Sequence, residues 1–350
     1  MKRHIIPIFV PHWGCPHQCV FCNQKKITGI ACPMDAMKAK AIIEEALSWQ
    51  TRAGEREVAF YGGSFTAIPT AKQRELLAVA TPLRCAGVID GIRLSTRPDA
   101  IDSEVLNLLQ EHMVTTIELG VQSMDDVVLE KANRGHTSAD VVDAVGEIRK
   151  YQFQLGLQIM PGLPGEDYCS LIRTANAVRQ LQPDFVRIYP TVVIADTPLA
   201  NAYREGLYQP LTLEEAVKRT AFLKLLFERE GIPVIRMGLQ ATDDMDQSDT
   251  VLAGPYHPAF GELVEAELFR QMMVKVLDGV LMRGKKVIIH HHPSDASKVR
   301  GQKKANISYL IDTYGLAETI CCADGQHRDE IIVEIDGIRY TMNFSMMERI

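Results

Sequence analysis

Three cysteines stand close enough together to act as one donor group. Cys15, Cys19 and Cys22 follow a C-x3-C-x2-C spacing within Cys-Pro-His-Gln-Cys-Val-Phe-Cys, while Cys32, Cys85, Cys169 and the adjacent Cys321 and Cys322 are scattered. Thiolates are soft ligands that select zinc or iron–sulfur clusters. Four of them close a structural zinc site or saturate a cluster. Three on a four-iron cluster leave one iron without a protein ligand, open to a substrate or cofactor. Gaps of three and two residues suit a short loop wrapped around a cubane, with Phe21 placed to shield one face from water. The alternative is zinc, with Cys32 or His17 as a fourth ligand, although a second C-x2-C pair is lacking. Disulfides are not expected, since a chain of 350 residues without an export signal is expected in the reducing cytoplasm.

Such a loop needs a scaffold, and the chain has the material for one. It is 46% hydrophobic and 23% charged, with 38 Lys and Arg against 44 Asp and Glu, a net charge of −6. That balance excludes a uniformly basic nucleic-acid coat, but not local basic patches. No apolar run approaches the roughly 18 residues of a membrane span. Apolar β-type runs at 4–10, 56–61, 91–95, 115–121, 154–160 and 185–189, with a short one at 233–236, alternate with helical patterns at 37–49, 72–80, 103–111, 139–150 and 171–181. Repeated strand–helix alternation predicts an α/β fold, a partial (β/α) barrel of about six parallel strands, in preference to an open doubly wound sheet. From about residue 283 the texture changes: strand patterns at 287–291 and 331–335, a hairpin return around Asp336-Gly337 and a helical stretch at 305–314. The expected division is a core at 1–282 and a small α+β domain at 283–350.

Polar and glycine-rich residues recur where strands end. Gly62-Gly63-Ser64 follows the second strand, Ser95-Thr96-Arg97 the third, Gln122-Ser123 the fourth and Pro161-Gly162-Leu163-Pro164-Gly165 the fifth. In β/α barrels that rim carries the chemistry, so these turns and the cysteine loop are expected to share it.

Cys15-x3-Cys19-x2-Cys22, with an aromatic before the last cysteine, resembles the signature of the radical S-adenosylmethionine (radical SAM) superfamily. Gly62-Gly63-Ser64-Phe65-Thr66, Glu118-Leu119-Gly120-Val121-Gln122-Ser123, Asn133-Arg134-Gly135-His136, Ile188-Tyr189-Pro190-Thr191 and Gly238-Leu239-Gln240-Ala241-Thr242 resemble the radical-SAM half of the Elongator catalytic subunit. Met160-Pro161-Gly162-Leu163-Pro164-Gly165 is similar more broadly to oxygen-independent coproporphyrinogen dehydrogenases. The resemblance implies a [4Fe–4S] cluster on Cys15, Cys19 and Cys22, whose open iron chelates S-adenosylmethionine. It also implies an external one-electron reductant, and a 5′-deoxyadenosyl radical that abstracts hydrogen from the substrate. By the same resemblance Gly62 and Gly63 receive the cofactor's amino group, Ser95 faces its ribose, and Gln122 and Arg134 contact it, Arg134 at the carboxylate. Gln158 stands where the coproporphyrinogen enzymes carry an acid, which sets its ribose contact apart from theirs. The resemblance assigns no catalytic side chain.

The substrate is less legible. The Elongator enzyme pairs this kind of domain with an acetyltransferase and acts on transfer-RNA wobble uridine, and the residues after 283 are too few for an acetyltransferase fold. Arg283, Lys285, Lys286, Lys298, Arg300, Lys303 and Lys304 against Asp295 make a basic stretch able to contact a polyanion. Transfer RNA or another anionic substrate is one reading of this stretch and a solvated face is the other; no membrane partner is expected. A small-molecule or porphyrin-like substrate is the alternative, and a non-enzymatic zinc-stabilised RNA-binding protein is the reading from a different class. His290-His291-His292 reads as a solvated strand end, because alternate side chains of a strand point to opposite faces. Cys321 and Cys322 cannot share a pocket from one strand, for the same reason.

Overall fold

The computed structural model describes residues 3–10, 15, 17–23, 34–49, 54–239, 250–279, 281–325 and 327–347. The chain divides into two compact units, residues 1–212 with 232–256 and residues 213–231 with 257–350.

The first unit runs β1 (Arg3–Val10), α1 (Ala36–Trp49), β2 (Glu55–Gly62), α2 (Thr70–Cys85), β3 (Gly91–Thr96), α3 (Ser103–Glu111) and β4 (Thr116–Gln122). It continues with α4 (Asp126–Lys131), α5 (Ser138–Ile148), β5 (Gln154–Ile159), α6 (Tyr168–Gln180), β6 (Phe185–Ile188), β7 (Val193–Ile194), α7 (Pro198–Arg204), β8 (Val234–Met237) and β9 (Val251–Ala253). Seven strands form one sheet in the order β1-β2-β3-β4-β5-β6-β8, every neighbouring pair parallel. A doubly wound sheet reverses its order at a switch point. This order never reverses, and the sheet is half of a barrel, as the alternation predicted, with 234–237 supplying the seventh strand. β7 and β9 pair separately and antiparallel.

The pleat sorts the side chains. Val58 and Phe60, Ile92 and Leu94, Ile117 and Leu119, Leu157 and Ile159, and Val186 and Ile188 are all buried on one face, where α1 packs on β1 and α2 on β3. Alternation places Glu57 and Tyr61, Arg93 and Ser95, Glu118 and Gly120, Gln158, and Arg187 on the other. One face is therefore an aliphatic core and the other is charged. Helix starts are fixed locally: Asp102 accepts from the Val105 amide, and Thr137–Asp140 and Asp167–Ser170 form reciprocal capping boxes.

The second unit comprises α8 (Leu213–Arg229), α9 (Phe260–Leu277), β10 (Lys286–His291), α10 (Ala296–Arg300), α11 (Ala305–Tyr314), β11 (Glu318–Cys322), β12 (Glu330–Ile335) and β13 (Ile338–Asn343). Its sheet has the order β11-β10-β12-β13, with β10 parallel to β11 and antiparallel to β12. The β12–β13 hairpin turns on Asp336 (φ 53°) and Gly337 (φ 79°), the left-handed pair that an Asp-Gly turn supplies. The division expected at 282 and 283 falls inside this unit, because α8 and α9 belong to it. α9 left no mark as an amphipathic stripe: Val264, Leu268, Phe269, Met272, Met273, Val276 and Leu277 are buried around most of its circumference. No helix among the described residues is long and apolar enough to cross a membrane.

Candidate functional site

The cysteine loop follows β1 and is held from two sides. The Val20 amide donates to the Ala132 carbonyl (3.1 Å), and the Leu199 amide donates to the Val20 carbonyl (2.8 Å). Asn133 Nδ2 donates to the Gln18 carbonyl (2.8 Å), and Asn23 Nδ2 to the Ala195 carbonyl (3.2 Å). Val20 and Phe21 pack against two apolar clusters, one around Val193, Leu199 and Tyr208, the other around Val128, Ala132 and Leu163. A tight turn, Cys22 amide to Cys19 carbonyl (3.1 Å), sets the second gap of the motif. Cys15 Sγ lies 3.6 Å from Ser64 Oγ, at the end of β2. Cys32 lies outside the described residues.

Cys15, Cys19 and Cys22 line one cavity of about 560 Å3 together with Gly62, Gly63, Ser95, Gln122, Arg134 and Gln158. All nine residues singled out in the sequence thus line this cavity at the C-terminal ends of the strands, Arg134 reaching it from the loop between α4 and α5. Backbone geometry at β4 aims two of them. The β4–β5 register shifts between Gly120 and Gln122, and Gln122 takes the left-handed φ of 68°. Such a bulge re-aims the side chain, and Gln122 Oε1 accepts from Gln158 Nε2 (3.2 Å). Gly120 leaves room for both side-chain ends: a Cβ there would lie 2.8 Å from Gln122 Nε2 and 2.9 Å from Arg134 Nη2, which would have to shift. Arg134 is buried, donating from Nη2 to the Gly120 carbonyl (2.7 Å) and from Nη1 to Cys19 Sγ (3.5 Å). Its Nε is buried without a hydrogen-bond partner. The guanidinium therefore braces the loop from behind and places positive charge beside a thiol.

Beneath the cavity lies a charged floor, of which the motifs held only Glu118 and Tyr189. Glu118 Oε1 accepts from Arg93 Nη1 (2.7 Å), Tyr61 Oη (3.2 Å) and Arg187 Nη2 (3.1 Å), and Oε2 faces Arg187 Nε at 2.7 Å. Arg93 Nε also donates to Glu57 Oε2 (2.6 Å), and Arg187 Nη1 to Tyr189 Oη (3.1 Å). Two carboxylates thus face two guanidiniums, with Arg93 only 1% exposed. Burial works against the charge on Arg187, yet its tyrosine and Glu118 neighbours hold its pKa above the usual arginine value. Burial and the Glu118 carboxylate push the Tyr61 phenol up, so it stays protonated. Glu118 and Tyr189 both reach the cavity wall. Alternation along β2, β3, β4 and β6 would have gathered these residues on one face once the strand order was known, and strand order was not legible. His136, the last residue of the Asn-Arg-Gly-His run, donates from Nε2 to the Val121 carbonyl (3.2 Å). Burial, with Arg134 beside it, pushes its pKa down to about 4.

The donor set fits an iron–sulfur cluster. The three thiols come from one short loop and line one cavity. Three thiolates leave one iron of a four-iron cluster without a protein ligand, and the rim at Gly62 and Gly63 leaves space for a small molecule beside it.

Three of the seven basic residues of the stretch are paired with carboxylates within the second unit. Lys285 pairs with Asp336 (2.8 Å), Lys286 with Glu318 (2.9 Å), and Lys298 lies among Asp295, Asp329 and Glu265 at 3.2–3.5 Å. Lys303 and Lys304 remain exposed.

Comparison with known proteins bears on the first unit above all. The radical SAM superfamily matches residues 10–178, and the Radical_SAM C-terminal domain matches residues 183–270. An uncharacterized protein of Methanocaldococcus jannaschii is 31% identical over 210 residues, 57% of this chain and 64% of that protein. The tRNA uridine(34) acetyltransferase of the same organism is 30% identical over 139 residues, 39% of this chain and 26% of that protein. This chain therefore spans less than two thirds of the length of either relative. The structure of archaeal Methanocaldococcus infernus Elp3 superposes with a TM-score of 0.60 at 18% identity, over 96% of this chain and 76% of that one, a likeness of fold.

Proposed function

We propose, for a chain that belongs to the radical SAM superfamily, that Cys15, Cys19 and Cys22 hold a [4Fe–4S] cluster beside an S-adenosylmethionine site, and that the product of their chemistry is a modified transfer RNA. When bound, the cluster supplies an electron from an external one-electron donor that splits the sulfonium into methionine and a 5′-deoxyadenosyl radical, which takes hydrogen from the substrate. The chain's own residues do the rest. Gly62 and Gly63 offer main chain to the cofactor's amino group, Arg134 offers positive charge on the carboxylate side, and Ser95, Gln122 and Gln158 offer polar contacts to the ribose. Val192, Ile194 and Leu239 give the cavity an apolar wall, which keeps water from a radical. The observation that carries this reading is that three cysteines of one loop, five motif residues from four strand ends and Arg134 from the loop after α4 line a single cavity.

Transfer RNA as the substrate class rests on the acetyltransferase relative and on Lys303 and Lys304. Both lysines are exposed and take left-handed backbone, φ 51° and 64°, a conformation that persists where surrounding structure or function selects it. Reduced, anaerobic protein given S-adenosylmethionine is expected to release 5′-deoxyadenosine, and Cys22→Ala to release none. Filter binding of transfer RNA is expected to weaken with salt, and neutralising Lys303 and Lys304 together to lower the slope of log affinity against log salt by roughly 1.4–1.8. Cofactor cleavage without any transfer-RNA binding at low salt would keep the radical chemistry and remove the substrate.

A further inference from the structure

We propose that the second unit carries a zinc site built from Nδ1 of His290, Sγ of Cys322 and a carboxylate oxygen of Asp324. Strand register makes the first pair. β10 and β11 run parallel with His290 opposite Cys322 and Ile289 opposite Cys321. Ile289 and His291 are buried on one face, so His290 and Cys322 share the other, and Cys321 goes with the core. The chain then turns back over the pair. The Gly325 amide donates to the His291 carbonyl (2.9 Å), and a Cβ at 325 would come 2.7 Å from the His291 carbonyl carbon. Only a glycine permits that approach, and it brings Asp324 Oδ1 and Oδ2 to 2.9 and 3.0 Å from His290 Nδ1. The donor atoms of the three residues all lie within 4.8 Å of one another. Ligands of a tetrahedral zinc stand about 3.2–3.8 Å apart, from bonds of roughly 2.0–2.3 Å, so small side-chain rotations complete the site.

The rest of the imidazole is prepared for that role. His290 Nε2 is buried and has no hydrogen-bond partner, and the nearest carboxylate oxygen, Oε2 of Glu334, lies 3.6 Å away. Glu334 is itself held by Arg339 Nε at 2.7 Å. A carboxylate behind the second ring nitrogen fixes the tautomer that leaves a lone pair on the first. One thiolate, one imidazole and one carboxylate select zinc over magnesium or calcium, which take oxygen ligands. Three protein ligands leave the fourth position to water or another small ligand. A plain His290–Asp324 ion pair would need neither the thiol of Cys322 nor the carboxylate of Glu334.

The test uses the full chain with its cluster loop loaded with iron, so that Cys15, Cys19 and Cys22 are not open to zinc. Zinc is added in competition with a chromogenic chelator, and its surroundings are read from the zinc K-edge absorption spectrum. The expected result is one zinc per chain, with one sulfur and otherwise nitrogen or oxygen neighbours. Cys322→Ser and Asp324→Asn should each weaken binding at least about tenfold, and Glu334→Gln by about 10–100-fold, the range for a residue behind a ligand. Cluster iron and Cys321→Ser should be unaffected. Absence of tight zinc in the wild-type chain, an all-sulfur zinc shell, or binding that depends on Cys321 and not on Cys322 overturns the site. Asp324 is exposed, so its variant keeps the test decisive if Cys322→Ser fails to fold.

Discussion

Cys15, Cys19 and Cys22 come from one loop of eight residues, whereas His290, Cys322 and Asp324 come from two strands and a turn separated by 32 and 34 positions. The first group is announced by its spacing, because neighbours in sequence are neighbours in space on a short loop. The second exists only once β10 and β11 are paired in register. Their settings differ as well. The loop is pinned by Asn133, Arg134 and the Val20 and Leu199 amides above a buried ionic floor. The second group sits on the less buried face of a four-stranded sheet and is supported by Glu334 and Arg339. A local motif can call for an elaborate buried frame, while a pair of strands can assemble donors with almost none.

That contrast is open to measurement, and the frame of the first site should give the largest responses. Glu118 pairs with both Arg93 and Arg187, and removing it leaves two buried guanidiniums short of a partner. Glu118→Ala should therefore cost about 3–5 kcal/mol in urea unfolding. A loss below about 1 kcal/mol would mean that water already reaches the floor.

His136 gives the next largest effect, through pH. Its pKa is about 4 in the folded protein against 6.5 for an ordinary histidine, so the unfolded chain binds the extra proton between those values. The stability contributed by the neutral ring is complete above pH 6.5 and is lost as the pH falls toward 4, by about 3 kcal/mol at 1.36 kcal/mol per pH unit. In His136→Gln, whose amide can still donate to Val121, that part of the acid sensitivity should disappear. Parallel stability–pH curves for the two proteins would contradict the assignment.

Gly120→Ala is expected to cost about 1 kcal/mol, the low end for an overpacked core, because the new methyl group meets only the ends of the Gln122 and Arg134 side chains, which shift. It should also loosen the loop at Cys19, seen as faster iron loss to a chelator than in the wild type. The smallest effect belongs to the second site. In zinc-free protein Asp324→Asn should leave the unfolding midpoint where it was, and a clear drop there would show that the His290–Asp324 contact is a structural ion pair.

Much of this architecture was readable in the chain. Strand–helix alternation implied parallel β/α units, and polar residues at the strand ends implied a shared rim, where Gly62, Ser95, Gln122 and Gln158 do meet. What stayed hidden depended on non-local pairing. The floor of Glu57, Arg93, Glu118 and Arg187 needs the strand order: Glu118 reads from the sequence as a candidate buried acid near the rim whose direction is undecided, and the other three each read as an ordinary charge in a strand. α9 is apolar around most of its surface and gave no period to read. The basic stretch looked like a polyanion surface because sequence does not show that Lys285, Lys286 and Lys298 each have carboxylates beside them.

Iron and acid-labile sulfide, determined in anaerobically purified wild-type, Cys22→Ala and Cys322→Ser proteins, test the central claim most directly. The account predicts about four irons and four sulfides per chain in the wild type, the same in Cys322→Ser, and neither in Cys22→Ala. Wild-type protein holding zinc and no sulfide on the loop, or a cluster that survives Cys22→Ala and is lost with Cys322, would contradict it.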